Sequence, residues 1–383
     1  MKTLGIGMVG YGFIGKVHTI SYIDMPFYYK PMPAKINLIG VCSSPISDAK
    51  EGIEQAGYKF ATENYKDLLE KEDIDIIEVC TPNYNHHDII IDALEAGKHV
   101  ICEKPLAMNL KEAKEILTAA NNHPELVSQI SFNYRYAPFV MKAKELIDNG
   151  FIGRPYSARV NYLHSGNSDP NRPTYWKILK KYCGGGSSYD LGSHIIDIVR
   201  FLLGDFKKIF AKLEIFTKER PDANNPDKKL PVDVDDLTMA IFELKNGLIG
   251  TLEASKVSTG ANDEVRIEIH GEKGALRFNS MQPNFLEVYD TRDSEEPIGG
   301  MRGFKKIETV QRYPKPATSF PGPKFPIGWV RYHVGSAYNF IKNIVEQNKP
   351  DADMLAGYKV QEVIEAMLIS DAEKRWVDLP LNI

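Results

Sequence analysis

The sequence predicts an α/β protein of two domains, in which an N-terminal doubly wound parallel sheet precedes a C-terminal α/β domain with a large, mostly antiparallel open sheet. Two patterns predict this division. Short apolar strands alternate with amphipathic helices up to about residue 132, which is typical of a parallel sheet with helices on both faces. From Pro155 onward, strands follow one another with few helices between them, which favours antiparallel pairing. We therefore predict domains at residues 1–135 and 136–383.

The composition is that of an ordinary globular protein. The chain has 383 residues, 43% hydrophobic and 26% charged, with a net charge of −4, so nothing points to nucleic acid or an anionic membrane as a partner. No apolar run reaches the roughly 18 residues of a membrane span. Met1 leads almost directly into a strand, so we expect no signal peptide and a cytoplasmic protein. The four cysteines include no C-x-x-C pair, and we expect reduced thiols without a metal site.

The first strand, Leu4–Val9, is a short apolar run that leads into G-x-G-x-x-G and then into a helix over residues 16–23. Gly10 permits a tight turn, Gly12 lets the backbone approach a pyrophosphate, and Gly15 allows close packing of helix and strand. The helix N-terminus presents unpaired N–H groups to the phosphates. A glycine-rich turn without a ligand is the alternative, but the order strand, turn, helix favours dinucleotide binding.

The second strand, Ile36–Cys42, follows a long aromatic-rich loop at residues 24–35. Its end commonly carries an acid that binds the ribose 2′-hydroxyl of NAD. Here Ser43 and Ser44 follow, with no acid and with no arginine for a 2′-phosphate. The residues therefore leave the choice between NAD and NADP open.

Three more strands complete the predicted parallel sheet, and a polar segment follows each of them. The strands are Ile74–Cys80, His99–Cys102 and Leu126–Phe132, followed by Thr81-Pro82-Asn83, Glu103-Lys104-Pro105 and Asn133-Tyr134-Arg135-Tyr136. Ligands of such sheets bind beyond the carboxyl ends of the strands. A lysine at position 104 is within reach of a nicotinamide and would stabilise an alkoxide, although an exposed loop lysine is the alternative.

The C-terminal domain is predicted to contain six strands and four main helices. The strands are at residues 155–163, 209–216, 236–244, 249–254, 265–270 and 274–278, and the helices are at 139–149, 187–203, 335–347 and 356–372. Residues 281–328 are rich in proline, glycine and charge, and we interpret them as a long excursion with a hairpin and a loop near the substrate.

The helix over residues 187–203 carries Asp190 and His194 four residues apart, which places them on one helix face. Histidine suits proton transfer near neutral pH, and a neighbouring carboxylate would orient its ring. A simple surface pair of a helix fits the same spacing. Together with a dinucleotide turn and Lys104, these residues are the parts of a hydride transfer between an alcohol and a carbonyl.

Three stretches resemble the Gfo/Idh/MocA oxidoreductase family: GYGFIG, TPNYNHHDIIIDALEAGKHVICEKP and GGGSSYDLGSHIIDIVRFLLGD. The resemblance covers nearly the whole chain and implies a Rossmann domain and a C-terminal domain whose sheet often forms dimer or tetramer contacts. It implies that Lys104 is the active-site lysine and that Asp190 and His194 are the family's catalytic pair, with His194 as general base or acid. The implied cofactor contacts are Gly10, Gly12, Phe13, Ile14, Gly15, Ser43, Ser44, Thr81, Pro82, Asn83, His86, Glu103, Lys104, Asn133 and Arg135.

The aromatic insert before the second strand and the late Gly328-Trp329 are similar to the levoglucosan dehydrogenase branch of the family, which oxidises sugar ring hydroxyls. The candidate substrate contacts are Lys104, Tyr162, Trp176, Asp190, His194 and His333. The leading hypothesis is an NAD- or NADP-dependent dehydrogenase of a sugar, polyol or sugar derivative, acting as a homodimer or homotetramer. The alternatives are a glycoside hydrolase that oxidises its substrate transiently and a non-catalytic dinucleotide-binding sensor, which would not need Lys104, Asp190 and His194 together.

Overall fold

Both predicted sheets are present in the computed structural model, which describes residues 1–326 and 328–382. The described chain forms two compact units. The first consists of residues 1–136, 313–321 and 328–361, and the second of residues 137–312, 322–326 and 362–382. The segments at 313–321 and 328–361, which the sequence analysis assigned to the C-terminal domain, therefore lie in the unit that contains the glycine-rich turn.

Six parallel strands form the sheet of the first unit. In chain order they are β1 (Thr3–Val9), β2 (Lys35–Cys42), β3 (Phe60–Thr62), β4 (Ile76–Val79), β5 (His99–Cys102) and β6 (Ser128–Ile130). Their order in the sheet is β3-β2-β1-β4-β5-β6, so the order reverses at β1. Ligands of open α/β sheets bind beyond the carboxyl ends of the strands at such a point. The sequence analysis found five of these strands and missed the short edge strand β3.

The first helix, α1 (Phe13–Tyr28), continues through the first part of the loop predicted at residues 24–35. Pro26 lies in its last turn, where the missing N–H group and the ring oppose a helix. Tyr22 and Met25, one turn apart, are almost fully buried in the core of the unit. Burial of these two side chains outweighs the local cost of the proline. The loop between α1 and β2 is therefore shorter than the predicted one.

The other helices of the first unit include two from the C-terminal part of the chain. They are α2 (Ile46–Ala56), α3 (Lys66–Leu69), α4 (His86–Glu95), α5 (Leu110–Asn122), α10 (Val330–Glu346) and the N-terminal part of α11 (Met354–Glu373). Phe340 and Ile341 of α10 are fully buried in one hydrophobic cluster with Leu4 and Ile6 of β1 and Met25 of α1. The first unit therefore obtains part of its core from residues more than 300 positions after its first strand.

Nine strands form the main sheet of the second unit. They are β7 (Pro155–Leu163), β8 (Phe206–Glu214), β11 (Leu237–Leu244), β12 (Ile249–Ser255), β13 (Glu264–Gly271), β14 (Gly274–Asn279), β15 (Phe285–Asp290), β16 (Lys305–Glu308) and β17 (Val377–Asp378), while β9 (Glu219–Asp222) and β10 (Asn225–Pro231) pair separately. The order is β16-β15-β14-β13-β7-β12-β11-β8-β17, and only β7 and β12 are parallel. The prediction of a mostly antiparallel sheet is confirmed, and β15 and β16 form a hairpin within residues 281–328.

The helix predicted over residues 187–203 is divided into two helices at Leu191. This residue keeps right-handed helical angles, with φ −101° and ψ −41°, so the spacing of the flanking side chains is nearly preserved. The helices of this unit are α6 (Pro138–Asp148), α7 (Lys180–Cys183), α8 (Ser187–Asp190), α9 (Gly192–Leu203) and the C-terminal part of α11 (Met354–Glu373). Among residues 1–326 and 328–382, no helix combines the length and apolar character needed to cross a membrane.

Candidate active site

The glycine-rich turn leaves an open approach to the N-terminus of α1. Gly10 has φ +94°, and its N–H donates to the carbonyl oxygen of Cys42 at 2.8 Å. A methyl group at Gly10 or Gly15 would lie 2.4 Å from the Cys80 carbonyl oxygen or 2.0 Å from the Gly10 carbonyl oxygen, so neither position accepts a side chain. A methyl group at Gly12 would meet no atom within 4 Å, and no side chain caps the helix. The turn therefore fits the pyrophosphate of a dinucleotide.

The other predicted contacts near the turn differ in exposure. Phe13 is 75% exposed at the start of α1, whereas Ile14 packs against the small core cluster around Tyr11. The Ser43 hydroxyl accepts a hydrogen bond from the Tyr11 N–H at 3.4 Å, and Ser44 is exposed. The structure thus brings Ser43 to the glycine turn, at the end of the strand where the sequence analysis expected ribose contacts.

His86 joins the two loops that follow β4 and β5. Its Nδ1 lies 3.0 Å from the Pro105 carbonyl oxygen and its Nε2 lies 3.0 Å from the Thr81 carbonyl oxygen. The ring is fully buried, and burial lowers the pKa of His86, although the backbone hydrogen bonds oppose this effect. The described contacts of this predicted cofactor residue are therefore with the loops that carry Pro82, Asn83 and Lys104.

A buried imidazole, His18 on α1, connects three elements of the first unit. Its Nδ1 makes a hydrogen bond with Glu78 Oε1, and its Nε2 lies 2.8 Å from Glu103 Oε1. The Tyr22 hydroxyl donates to Glu78 Oε2 at 2.5 Å, and the N–H of Lys104 donates to Glu103 Oε2 at 3.3 Å. The network therefore fixes the loop that carries Lys104 to the helix that begins at the glycine turn.

The ring of His18 faces a carboxylate at each nitrogen, which requires an imidazolium that donates twice. Burial opposes this charge, but the carboxylates of Glu78 and Glu103 favour it and raise the pKa of His18 well above its ordinary value. Burial also opposes ionisation of Glu103, yet the hydrogen bond and charge of His18 lower the pKa of Glu103 far below its ordinary value. We interpret the cluster as a buried ion network.

Two sets of side chains in the described part of the chain are close enough to share a metal ion: His18, Glu78 and Cys80, and His18, Glu103 and His333. Both sets need His18, and its two ring nitrogens already face carboxylates. Burial raises the pKa of Cys80 to about 11, so this residue is a neutral thiol near pH 7. The contacts favour the hydrogen-bond network over a metal centre.

The late segment at the start of α10 reaches the glycine turn. The Trp329 ring stacks on Phe13 with 6.0 Å between ring centroids and 14° between planes. The His333 ring lies 4.3 Å from Trp329 and 5.1 Å from His18, and its Nε2 accepts a hydrogen bond from Asn133 Nδ2 at 3.1 Å. Burial and the charge of His18 lower the pKa of His333 to about 3, so its ring is neutral and can accept.

Several buried polar atoms of this region make no hydrogen bond with the described chain. They include Thr81 Oγ1 at the end of β4, Trp329 Nε1 and His333 Nδ1. Buried polar groups in folded proteins are normally satisfied, and those that the chain leaves unsatisfied at a strand end are suited to a bound ligand. Asn133 and Arg135 lie just beyond β6, and Arg135 Nη1 donates to the Asp351 carbonyl oxygen at 2.7 Å. Most of the predicted cofactor residues thus lie in the first unit, in the segments that follow the carboxyl ends of its parallel strands.

In the second unit, Asp190 lies between two lysines. Lys177 Nζ donates to Asp190 Oδ1 at 3.0 Å, and Lys256 Nζ lies 3.2 Å from Asp190 Oδ2. His194 is 8% exposed, and its ring lies 5.8 Å from that of Tyr162. The unit therefore places Asp190 beside two lysines that the sequence analysis did not single out, and it places His194 beside Tyr162.

The turn before Asp190 is fixed by the buried carboxylate of Asp235. This carboxylate accepts hydrogen bonds from the N–H groups of Gly186 and Ser188 and from the hydroxyl groups of Ser187, Ser188 and Thr238. A methyl group at Gly186 would lie 1.9 Å from the Asp235 carbonyl oxygen, which explains the glycine at this position. The network holds the start of α8 and hence the residue at its end, Asp190.

The remaining predicted substrate residues have defined surroundings. The Tyr162 hydroxyl donates to Asp263 Oδ1 at 2.6 Å, and Trp176 is half-buried with the Lys177 ammonium 5.4 Å from its ring centroid. Lys104 and His333 belong to the first unit, whereas Tyr162 and Trp176 belong to the second. Sequence reasoning missed His18, Glu78, Lys256 and Asp235, although His18 stands three residues after the last glycine of the turn.

The parallel sheet with a glycine-rich turn suited to a pyrophosphate, followed by a large mixed sheet, defines a two-domain protein with a dinucleotide-binding domain. Residues 4–130 match the family model described as an oxidoreductase family with an NAD-binding Rossmann fold, and residues 140–277 match the GFO/IDH/MocA C-terminal domain. The chain belongs to the Gfo/Idh/MocA oxidoreductase family.

Two characterised relatives and two solved structures illustrate the similarity. Levoglucosan dehydrogenase of Pseudarthrobacter phenanthrenivorans is 34% identical over 99% of both chains. Myo-inositol 2-dehydrogenase of Thermotoga maritima is 27% identical over 74% of this chain and 78% of its own. A levoglucosan dehydrogenase in complex with NADH and levoglucosan superposes with a TM-score of 0.93 at 34% identity, covering 99% of this chain and 100% of that one. An oxidoreductase domain protein from Kribbella flavida gives 0.94 at 31% identity over the full length of both chains.

These comparisons confirm the predicted family, the two-sheet α/β fold, the NAD-binding Rossmann domain and the assignment as an NAD(P)-dependent oxidoreductase. The roles of the individual site residues are not addressed by the comparisons, and they stay predictions.

The first prediction concerns the buried ion network. Replacement Glu103→Gln leaves the His18 imidazolium with one carboxylate, so we expect the free energy of unfolding at pH 7 to fall by about 3 kcal/mol. Because the folded-state pKa of Glu103 lies below its ordinary value of 4.5, its contribution is present above pH 4.5 and disappears as the pH falls toward the folded-state value. Urea unfolding of wild type and variant between pH 7 and about pH 3 measures the difference.

The control for this measurement is Glu115→Gln, whose carboxylate is 45% exposed and pairs with His87. We expect a change of at most about 0.5 kcal/mol for it at any pH. A difference for Glu103→Gln that does not depend on pH would contradict the ionised state of this residue.

The second prediction concerns Trp329. NADH absorbs where tryptophan emits, so its binding at the glycine turn should quench a tryptophan that stacks on Phe13. We expect the quenching by NADH to decrease clearly in Trp329→Phe, which keeps an aromatic ring on Phe13, and to stay at the wild-type level in Trp376→Phe, a control in the second unit. Equal quenching in wild type and Trp329→Phe would place the cofactor away from this segment.

Proposed function

We propose that the chain is an NAD-dependent dehydrogenase that oxidises a ring hydroxyl of a sugar, an anhydrosugar or a polyol. The observation that carries this proposal is the similarity over the full length of the chain to levoglucosan dehydrogenase, including structures with NADH and levoglucosan. The inositol dehydrogenases among the relatives also act on ring hydroxyl groups, as their names state. The shared chemical class is a secondary alcohol on a polyhydroxylated ring.

The site residues divide the work of such an oxidation. NAD, when bound, supplies the ring that accepts the hydride. The Lys104 ammonium stabilises negative charge on the substrate oxygen, and its backbone is held by Glu103 and His18. His194 takes the hydroxyl proton as general base, and the Asp190 carboxylate supports it electrostatically. Tyr162, Trp176 and His333 are the proposed substrate contacts, since aromatic faces pack well on the C–H surfaces of sugars.

We also propose a preference for NAD over NADP. Residues 43–53, which follow β2, contain no arginine, and Asp48 brings a negative charge to the first turn of α2. This charge opposes a 2′-phosphate. The levoglucosan dehydrogenase structures contain NADH, which supports the same preference.

The open sheet of the second unit supports a homo-oligomer. Met239 and Ile241 on β11 and Ile249 on the adjacent β12 are 50%, 45% and 57% exposed. Exposed apolar side chains that cluster on one sheet face are typical of a protein–protein interface. We propose that a second copy of the chain covers this face in a dimer or tetramer.

The third prediction tests the reaction and its residues. Purified protein is assayed with NAD⁺ or NADP⁺ and with levoglucosan, other sugars and myo-inositol, and the appearance of reduced nicotinamide is followed by absorbance. We expect turnover with a ring alcohol and NAD⁺, and a loss in kcat of about 100-fold or more in Lys104→Ala and in His194→Ala. NADH should still quench tryptophan fluorescence in both variants.

Lys111→Ala, at a highly exposed lysine of α5, serves as the matched control and should keep the wild-type rate. Near-normal rates in Lys104→Ala or His194→Ala would reject the assigned roles. Release of a leaving group from a glycoside without net NADH would favour the glycoside hydrolase alternative instead.

The fourth prediction tests the oligomer. The double replacement Met239→Lys and Ile241→Lys places two charges on the proposed interface, so we expect the mass in light scattering to fall, to that of one chain for a dimer and to that of two chains for a tetramer. Ile53→Lys, at an exposed position of α2 in the first unit, should leave the mass unchanged. An unchanged mass in the double variant would exclude this face as the interface.

A further inference from the structure

Lys256 directly follows β12, a strand in the interior of the large sheet, and hydrogen bonds fix its backbone. Its N–H donates to the Asp236 carbonyl oxygen at 2.9 Å, and its own carbonyl oxygen accepts from the Asn167 N–H at 2.9 Å. The preceding carbonyl oxygen, that of Ser255, accepts from the His164 N–H at 2.8 Å. The direction of the lysine side chain is therefore set by backbone that is held on both sides.

The ammonium of Lys256 is buried, since the residue is only 4% exposed, and its nearest counter-charge is Asp190 Oδ2 at 3.2 Å. The contact is an ion pair whose angles fall short of a hydrogen bond. On the other side of the same carboxylate, Lys177 Nζ donates to Oδ1 at 3.0 Å from a less buried position. Each oxygen of Asp190 therefore faces an ammonium group of its own.

The charged and titratable groups that act on Lys256 are Asp190, Asp235 and Tyr175. Burial disfavours the ammonium form, but the charges of these groups outweigh burial and raise the pKa of Lys256 above its ordinary value. The Asp235 carboxylate already accepts four hydrogen bonds from residues 186–188 and one from the Thr238 hydroxyl of β11. Asp190 is thus the partner whose position depends most directly on Lys256.

A buried ammonium group is costly, and a methionine of similar length would fill the same space without that cost. We propose that Lys256 is a positioning residue for Asp190: together with Lys177 it clamps both carboxylate oxygens, so that the carboxylate is presented in one orientation and in its charged form. This inference rests on the proposed function, in which Asp190 supports the general base. Without Lys256, the ion pair at Oδ2 is lost and the orientation of the carboxylate is less restricted.

The experiment compares Lys256→Met, Lys256→Arg and the control Lys181→Met, at an exposed lysine of α7. With NAD⁺ and the best ring alcohol of the panel, we expect kcat to fall about 10- to 100-fold in Lys256→Met, because small displacements of catalytic groups are costly. The KM for NAD⁺ should change by no more than about twofold, and Lys256→Arg should recover part of kcat because it keeps the charge. Lys181→Met should behave as wild type.

A second measurement does not depend on turnover. Melting temperatures are compared for wild type, Lys256→Met, Asp190→Asn and the double variant. Asp190→Asn leaves a buried ammonium without its nearest counter-charge, so we expect it to lower the melting temperature strongly in the wild-type background and much less in the Lys256→Met background. If Lys256→Met fails to fold, Lys256→Gln takes its place in both measurements.

Additive melting-temperature shifts, or a kcat of Lys256→Met equal to that of Lys181→Met, would overturn the proposal. Equal losses of kcat in Lys256→Met and Lys256→Arg would also overturn it, because they would show that shape and not charge matters. Wild-type turnover in Asp190→Asn would reject the role of Asp190 in the proposed function, while the melting temperatures would still report whether the ion pair forms. Failure of the inference and failure of the proposed function are therefore distinguishable.

Discussion

The buried imidazolium of His18 is the interaction on which the cofactor half of the site depends. It lies on the helix that begins at the glycine turn, and its two ring nitrogens face carboxylates from the ends of β4 and β5. A buried charge must be paired, so α1 and the ends of β4 and β5 cannot shift independently of one another. Since two carboxylates surround one imidazolium, a further positive charge is favoured beside them, and the charge of Lys104 acts on Glu103 in this sense. The position of Lys104 in the sequence is thus explained electrostatically as well as by its loop.

In the second unit, different residues form a similar network of buried polar groups. Asp235 collects donors from the glycine- and serine-rich turn, and Asp190 is held between two ammonium groups. In both units, buried polar side chains that would not touch a substrate determine where the proposed catalytic groups stand. Satisfied polar networks of this kind are rigid, because each member loses its partner if any other moves.

Local sequence rules predicted the glycine turn, most strands of both sheets and the segments that follow the strands, because these depend on residues close together in the chain. They failed where residues far apart in the chain determine the length of an element or the partner of a side chain. The first helix continues past Pro26 because Met25 is buried by the core, and no local pattern reveals that burial. The partners of His18 lie 60 and 85 residues away, so neither hydrogen bond leaves a periodic signal. Lys256 looks like any lysine after a strand until the fold places Asp190 beside it.

His333 on α10 has a different environment in the structure from the one that its place late in the sequence suggests. From the sequence, His333 is a candidate substrate contact in the C-terminal domain, because aromatic rings stack well on the C–H surfaces of sugars. In the structure, the first unit includes α10, so His333 accepts a hydrogen bond from Asn133 and its ring lies beside His18. The low pKa that burial and the imidazolium impose keeps His333 neutral, which allows it to accept that hydrogen bond. Its most direct physical effect is therefore on Asn133, one of the predicted cofactor contacts, and any role toward a substrate must be compatible with a neutral ring.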